Sequence, residues 1–153
     1  VPSGAWLLGV CSMKHNVFVY GTLRHGQGNW AWALKDKAKL IGFAKTPGDI
    51  YHLGGFPGVI LPTTDDRAAG NMVYGEVYEV DDSTLKALDR LESEGSMYHR
   101  RTIQVSYIKL TQDYDSDSEA PTMVYIYEYS RIPNRNSLIT TGDWLAQHKK
   151  DYA

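Results

Sequence analysis

Four consecutive apolar residues, Val17-Phe18-Val19-Tyr20, lead directly into Gly21. An uninterrupted apolar run of this kind, with β-branched and aromatic side chains, is typical of a strand that is buried on both faces. Glycine ends such a run readily, because it adopts backbone conformations that other residues avoid. The run therefore predicts a central strand followed by a turn.

The rest of the chain predicts further short strands and few helices. Strands are indicated at residues 40–45, 50–53, 59–61, 72–80, 101–110 and 122–130, which are separated by turn-forming residues. A short helix is predicted for residues 30–37, with Asn29 as its N-cap, and the tail at residues 137–149 is expected to end in a short helix. Gly75, inside one strand, predicts a bulge or a close approach by another backbone. Seven strands and few helices, mixed along the chain, favour an α+β domain with a curled sheet.

The size and charge of the chain limit its class and its partners. Its 153 residues suit one domain, and the apolar run Ala5–Cys11 is too short to span a bilayer. Residues 1–12 are interpreted as a leader of variable or artificial origin, and residues 13–153 as the domain. A formal charge of -2 gives no field that would hold nucleic acid, and the single cysteine cannot form an internal disulfide. We therefore expect a cytoplasmic protein with no nucleic acid or membrane partner.

A short amphipathic helix is predicted after residue 81. Asp81, Asp82 and Ser83 offer N-capping oxygens, and Gly95 is expected as the C-cap. Leucines recur at helical spacing between these ends, at positions 85, 88 and 91. At about 100° per residue, Glu92 falls on the same face as these leucines, whereas Glu94 falls on the opposite face.

Glu92 is the candidate catalytic residue. A carboxylate on an apolar face has to find partners or shift its pKa upward, because desolvation disfavours the charged form. A raised pKa is what a general acid and base needs near neutral pH. The alternative is a structural glutamate at a frayed helix end, which either extends its carboxylate to solvent or pairs with Arg100 or Arg101. The pattern alone leaves both interpretations open.

The turn at Tyr20-Gly21-Thr22-Leu23 is the candidate binding element. A turn of this kind can direct several backbone N–H groups toward one point, which makes a site for a carboxylate or an oxyanion. The alternative is an ordinary turn that ends a strand. The four residues alone do not decide between these two roles.

The turn belongs to a longer segment, residues 17–24, which is followed in the chain by three further recognisable segments. These are Gly75-Glu76-Val77-Tyr78, Leu88-Asp89-Arg90-Leu91-Glu92-Ser93 with Tyr98 and Arg100, and Tyr127-Glu128-Tyr129. Together, in this order and spacing, they resemble the γ-glutamylcyclotransferase-like superfamily, especially γ-glutamylamine cyclotransferases and their bacterial relatives. Gly142-Asp143-Trp144-Leu145 is similar to the ending of one bacterial branch of that family.

The resemblance implies a fold, a reaction and a set of site residues. The fold would be a small, closed or partly open mixed β-barrel of about six or seven strands with flanking short helices. Its cavity would hold a γ-glutamyl compound, with Glu92 as the general acid and base in forming 5-oxoproline. The residues implied to bind the substrate are Tyr20, Gly21, Thr22, Leu23, Tyr98 and Tyr127. The reaction needs neither a metal nor an organic cofactor.

Other kinds of site have little support in the sequence. Asp113, Asp115 and Asp117 imitate the first ligands of a calcium loop, but Ser118 stands where glycine is needed. The five histidines lack the paired spacing of a zinc site. The chain has no phosphate-binding glycine loop and no Gly-x-Ser-x-Gly motif. The rival to an enzyme is a binding or protein-interaction module on the same scaffold, whose cavity holds an acidic metabolite without turning it over.

Overall fold

The strands form one six-stranded sheet and one two-stranded ribbon. A computed structural model of the chain describes residues 13–62, 71–92, 94–111 and 120–146. The strands in these ranges are β1 (Lys14–Val19), β2 (Lys39–Pro47), β3 (Asp49–His52), β4 (Pro57–Ile60), β5 (Met72–Asp81), β6 (Tyr98–Gln104), β7 (Ser106–Leu110) and β8 (Met123–Tyr129). The helices are α1 (Trp30–Ala33) and α2 (Asp82–Leu91), followed by a 3-10 turn at Arg135–Ser137.

The six-stranded sheet is mixed and open. Its strand order is β6-β8-β1-β5-β2-β7, and β3 pairs with β4 in the separate ribbon. The β1–β8 pair is parallel, whereas the other pairs are antiparallel. The predicted α+β class is confirmed. A closed barrel is wrong, because the pairing of the described strands joins no ladder between β6 and β7.

The predicted strand at residues 101–110 is two strands on opposite edges of the sheet. Only Val105 separates β6 from β7, so the sheet has to curl until its two edges meet at this residue. The Val105 N–H donates to the carbonyl oxygen of Thr122 at 2.9 Å, and the Thr46 hydroxyl donates to that of Gln104 at 3.2 Å. These bonds hold the two edges together where strand pairing stops.

Strand β1 lies in the middle of the sheet and is buried on both faces, as its apolar run predicts. Phe18 faces one hydrophobic core, with Ile41, Val77 and Trp144, whereas Val17 and Val19 face a second core. The second core lies under α2 and includes the leucines at positions 85 and 88. Burial on both faces therefore fixes the position from which the turn at Gly21 begins.

The predicted helix after residue 81 is confirmed, and the predicted ends of this helix and of α1 need correction. Asp81 caps α2, since its carboxylate accepts from the Thr84 N–H at 2.8 Å. The C-cap is Glu92 rather than Gly95, which has a φ of +92° in the following turn. Helix α1 ends at Ala33 rather than at residue 37, and the left-handed Asp36 follows it.

The remaining predictions about local structure concern Asn29, the C-terminal tail and Gly75. Asn29 occupies the N-cap position of α1, but its side chain makes no capping bond. The tail at residues 137–149 is expected to end in a short helix, and residues 144–146 are helical at the end of the described part. Gly75 does meet a close backbone approach, because a Cβ there would lie 2.3 Å from the Val19 carbonyl oxygen. The leader at 1–12 and the acidic segment at 113–117 lie outside the described residues.

Candidate functional site

A cavity of about 310 Å³ lies between the turn after β1 and the end of α2. It brings together five of the predicted substrate-binding residues and the candidate catalytic glutamate. Its lining consists of Tyr20, Gly21, Thr22, Leu23, Asn29, Gly55, Phe56, Pro57, Leu91, Glu92, Met97 and Tyr98. Tyr127 is not among the lining residues.

The turn at one side of the cavity is held by hydrogen bonds and by close packing. The Arg24 N–H donates to the Gly21 carbonyl oxygen at 2.9 Å, which closes the turn. The Asn29 side-chain NH₂ group donates to the Thr22 hydroxyl at 2.8 Å, and its carbonyl oxygen accepts from the Trp32 indole N–H at 3.1 Å instead of capping α1. A Cβ at Gly21 would lie 2.5 Å from Pro57 Cγ, so only glycine allows the turn to approach β4 this closely.

The turn leaves backbone donors free at the cavity. Within the described part of the chain, no hydrogen bond uses the backbone N–H groups of Thr22 or Leu23. Both residues line the cavity, and Leu23 is buried. Backbone donors without a partner at a cavity favour an anionic or carbonyl ligand, which would supply the missing acceptor.

Glu92 lines the same cavity as the turn. Its backbone N–H donates to the Leu88 carbonyl oxygen at 2.9 Å, so the last turn of α2 fixes its position. Desolvation by burial raises the pKa of its carboxyl group to about 7. The carboxylate therefore exchanges its proton near neutral pH, as a general acid and base must.

Neither arginine that could have neutralised Glu92 does so. The Arg100 guanidinium pairs with Asp89 at 2.7 Å, and that of Arg101 pairs with Glu128 at 3.2 Å. No hydrogen bond or ion pair among the described residues involves the Glu92 carboxylate. The interpretation of Glu92 as a structural ion pair with Arg100 or Arg101 is therefore wrong.

Three tyrosines near Glu92 have hydroxyl groups that donate hydrogen bonds, and two of them, Tyr20 and Tyr98, line the cavity. Tyr98 donates to the Pro57 carbonyl oxygen at 2.8 Å, and Tyr20 donates to that of Tyr127 at 2.6 Å. Tyr127 donates to Asp89 at 2.6 Å, so its hydroxyl is directed toward α2. Burial raises the pKa of each of these tyrosines, and the nearby Glu92 charge adds to the effect. All three hydroxyls therefore stay protonated and act as hydrogen-bond donors.

A buried ionic cluster lies behind the turn, and sequence reasoning assigned no role to its members. The Arg24 guanidinium donates to Glu76 at 3.1 Å and to Asp143 at 2.7 Å. Glu76, which is 1% exposed, also accepts from the His25 N–H at 2.8 Å and from the Tyr78 hydroxyl at 2.9 Å. A carboxylate inside the apolar strand β5 was the signal that could have revealed this cluster.

Neither a metal site nor a membrane-spanning helix is found in the described ranges. No group of three or more histidine, cysteine, aspartate or glutamate side chains there is placed to hold a metal ion. No helix of the described residues has the length and apolar character needed to cross a membrane.

The open mixed sheet, the glycine turn and the glutamate at the end of α2 agree with the family that the sequence resembles. The chain belongs to the family described as γ-glutamyl cyclotransferase, AIG2-like, whose model matches residues 17–146. The predicted resemblance is thus confirmed at the level of the family.

Individual relatives span nearly the same length as this chain. The γ-glutamylcyclotransferase family protein YtfP of Escherichia coli K12 is 35% identical over 134 residues, which cover 87% of this chain and 98% of the relative. The γ-glutamylaminecyclotransferase A of Danio rerio is 31% identical over 139 residues, covering 84% and 81%. The crystal structure of an AIG2-like protein from Mus musculus superposes with a TM-score of 0.66 at 25% identity, covering 85% of this chain and 87% of that one.

Proposed function

We propose that this protein is a γ-glutamyl cyclotransferase that releases 5-oxoproline from a small γ-glutamyl amide, with Glu92 as the general acid and base. One observation carries the proposal: a carboxyl group with a pKa of about 7 lines the same cavity as a turn whose Thr22 and Leu23 backbone N–H groups make no hydrogen bond among the described residues. Membership in the family supports it, as does the name of the relative from Danio rerio.

The first step is intramolecular attack by the substrate's own α-amine. Glu92 takes a proton from the α-ammonium group, and the freed nitrogen forms a bond to the γ-carbonyl carbon. The product ring closes without a second reactant, so binding the substrate in a folded conformation supplies the proximity. Proton transfer by a positioned side chain typically contributes roughly 10² to 10⁴ in rate.

The second step expels the leaving amine. Attack places a negative charge on the former carbonyl oxygen, and backbone N–H groups of the turn at residues 21–23 stabilise it. The C–N bond then breaks as Glu92 returns its proton to the departing nitrogen. The ring nitrogen loses its second proton, and the departing amine takes it up to become an ammonium ion. The products are 5-oxoproline and a free amine, and no water is consumed.

The other predicted site residues divide into contact and support roles. In this proposal Tyr20, Thr22, Leu23 and Tyr98 contact the γ-glutamyl group from the lining of the cavity. Gly21 lets the turn approach Pro57. Tyr127 acts through its neighbours, because its carbonyl oxygen accepts from Tyr20 and its hydroxyl donates to Asp89.

The test is 5-oxoproline release from a panel of γ-glutamyl amides, peptides and glutathione, followed by mass spectrometry. We expect the wild type to release it, and Glu92→Gln to lose turnover by at least about 100-fold, because glutamine keeps the shape but cannot exchange the proton. Glu94→Gln is the matched control, since Glu94 is exposed and does not line the cavity. Equal rates for the wild type and Glu92→Gln would refute the role of Glu92, and a wild type without activity would favour a binding module.

A further inference from the structure

Asn29 lines the cavity and lies directly before α1, seven positions after Thr22. Its backbone N–H donates to the Thr22 carbonyl oxygen at 3.0 Å, and its own backbone carbonyl oxygen accepts from the Ala33 N–H at 3.1 Å. The side chain of Asn29 also binds Thr22, because its NH₂ group donates to the threonine hydroxyl at 2.8 Å. Backbone and side chain of Asn29 thus hold Thr22 at two separate atoms.

The orientation of the Asn29 side-chain amide is fixed by Trp32. The Trp32 indole N–H donates to the side-chain carbonyl oxygen of Asn29 at 3.1 Å. An indole N–H only donates, so this bond requires the amide oxygen on the Trp32 side and leaves the NH₂ group on the Thr22 side. The two ends of an amide have nearly the same shape, so without the indole a half-turn of the amide would exchange them. Trp32 therefore sets which end of the amide meets Thr22.

The direction of the amide decides where the proton of the Thr22 hydroxyl is available. A threonine hydroxyl has one proton to donate and two lone pairs that accept. Its oxygen accepts from Asn29, and within the described ranges its proton has no acceptor. Because Thr22 lines the cavity, this proton is free for a ligand. With the amide turned by a half-turn, the hydroxyl would donate to the amide oxygen, and the ligand would lose a donor.

Trp32 acts on the cavity from outside it. The residue is 50% exposed and does not line the cavity. A hydrogen bond at such an exposed site adds little to the stability of the fold, so its effect is on the direction of the amide. Trp32 makes a second hydrogen bond that bypasses Asn29, since its backbone carbonyl oxygen accepts from the Lys37 ammonium group at 2.7 Å.

We propose that Trp32 and Asn29 are positioning residues that keep the proton of the Thr22 hydroxyl directed to the bound ligand. The inference rests on the proposed function for the ligand, a γ-glutamyl amide, whose carboxylate and carbonyl oxygens accept hydrogen bonds. Thr22 donates to one of these oxygens. Trp32 acts on the ligand only through Asn29 and Thr22.

The test measures kcat/KM for release of 5-oxoproline from the γ-glutamyl amide that the wild type turns over fastest. Thr22→Val keeps the shape but removes the hydroxyl, and we expect it to lower kcat/KM by at least about tenfold. Trp32→Phe keeps an aromatic ring but removes the indole N–H, and it should lower kcat/KM by about three- to tenfold. Lys37→Met is the matched control, because it removes the other hydrogen bond to Trp32 and should leave kcat/KM unchanged.

A double-variant cycle separates the direction of the proton from a structural effect of Trp32. In the Thr22→Val background there is no hydroxyl to direct, so adding Trp32→Phe should not lower kcat/KM further. In the Thr22→Ser background, which keeps a hydroxyl, Trp32→Phe should again lower it. A loss by the same factor in the presence and absence of the hydroxyl would mean that Trp32 only supports the fold, and would overturn the inference.

The outcomes separate this inference from the proposed function. Turnover by the wild type together with an equally active Trp32→Phe would overturn the inference and leave the cyclotransferase intact. If the wild type releases no 5-oxoproline, the proposed function fails, and the same cycle is measured by calorimetry as the Kd of the γ-glutamyl amide of propylamine. A Kd that Trp32→Phe raises only where residue 22 carries a hydroxyl would uphold the inference. Equal Kd values, or no binding by the wild type, would overturn it.

Discussion

The Arg24 guanidinium lies 2.7 Å from the Asp143 carboxylate, so the residue after the turn is tied to a segment 119 positions later in the chain. The same guanidinium pairs with Glu76, which is almost completely buried. Glu76 in turn accepts from the backbone N–H of His25. The segment that follows the turn is thus held in place by charged residues that do not line the cavity.

Arg24→Met is expected to destabilise the fold by about 3–5 kcal/mol, because it leaves the Glu76 charge buried without its main partner. Asp143→Asn should cost less, since Asp143 is partly exposed and asparagine still accepts a hydrogen bond. The free energies of unfolding are measured by urea denaturation at neutral pH. An Arg24→Met variant as stable as the wild type would show that the cluster does not hold the turn.

Gly21→Ala is expected to lower the stability by roughly 1–3 kcal/mol and to reduce turnover, because its Cβ would overlap the ring of Pro57. Gly28→Ala is the control: a Cβ there has no heavy atom within 4 Å, and the residue has no positive φ. Thermal unfolding and the rate of 5-oxoproline release are measured for both variants. Similar losses in the two variants would contradict the requirement for a close approach at Gly21.

Local patterns in the sequence predicted the parts of the fold that depend on nearby residues. The apolar run at 17–20 predicted a strand buried on both faces, and the leucines at 85 and 88 placed Glu92 on the buried side of α2. Both patterns report periodicity along one element, which is set by the backbone geometry of that element. The family resemblance then related the turn and the glutamate to one site.

The features that the sequence did not predict depend on residues far apart in the chain. The run at 101–110 looks like one continuous strand in the sequence. In the curled sheet it is two strands, separated at Val105, that lie on opposite edges. The hydroxyl of Tyr127 donates to Asp89, which lies 38 positions earlier in the chain, and no local pattern encodes that pair. The partners of Arg24 lie on β5 and near the C-terminal end of the described residues.

Tyr98→Phe is expected to cost about 1–2 kcal/mol, because the buried Pro57 carbonyl oxygen loses a hydrogen-bond donor. Pro57 also packs on Gly21, so we expect KM and kcat to change through the position of the turn. Tyr74→Phe is the matched control, since the Tyr74 hydroxyl makes no hydrogen bond within the described ranges. The free energy of unfolding in urea and the steady-state constants are measured for both variants. Equal effects of the two substitutions would show that the Tyr98 hydroxyl does not help to hold the site.

The activity is expected to fall as the pH drops below about 7, the pKa of Glu92 in the folded protein, because the protonated carboxyl group cannot accept the α-ammonium proton. The acid limb of the profile of kcat/KM against pH should therefore have its midpoint near that value. The measurement uses substrates whose own groups do not titrate in this range. A midpoint near 4.5, the ordinary value for a glutamate, would show that Glu92 is not the base.

The same pKa also makes the stability of the fold depend on pH. Burial raises the pKa of Glu92 from 4.5 to about 7, so between these values the folded protein binds more protons at this site than the unfolded chain does. The contribution of Glu92 to stability is therefore fully present below pH 4.5 and is lost as the pH rises through about 7. At about 1.4 kcal/mol for each tenfold change in an acidity constant, the loss amounts to roughly 3 kcal/mol.

Glu92→Gln removes this titration and keeps the shape of the side chain. Relative to the wild type, the variant should therefore gain stability as the pH rises from 4.5 to 8, and the gain should level off above about 7. Urea unfolding of both proteins at intervals across this range gives the difference directly, because all other titrating groups are shared. A difference that does not change with pH would mean that Glu92 titrates normally and that the cavity does not desolvate it.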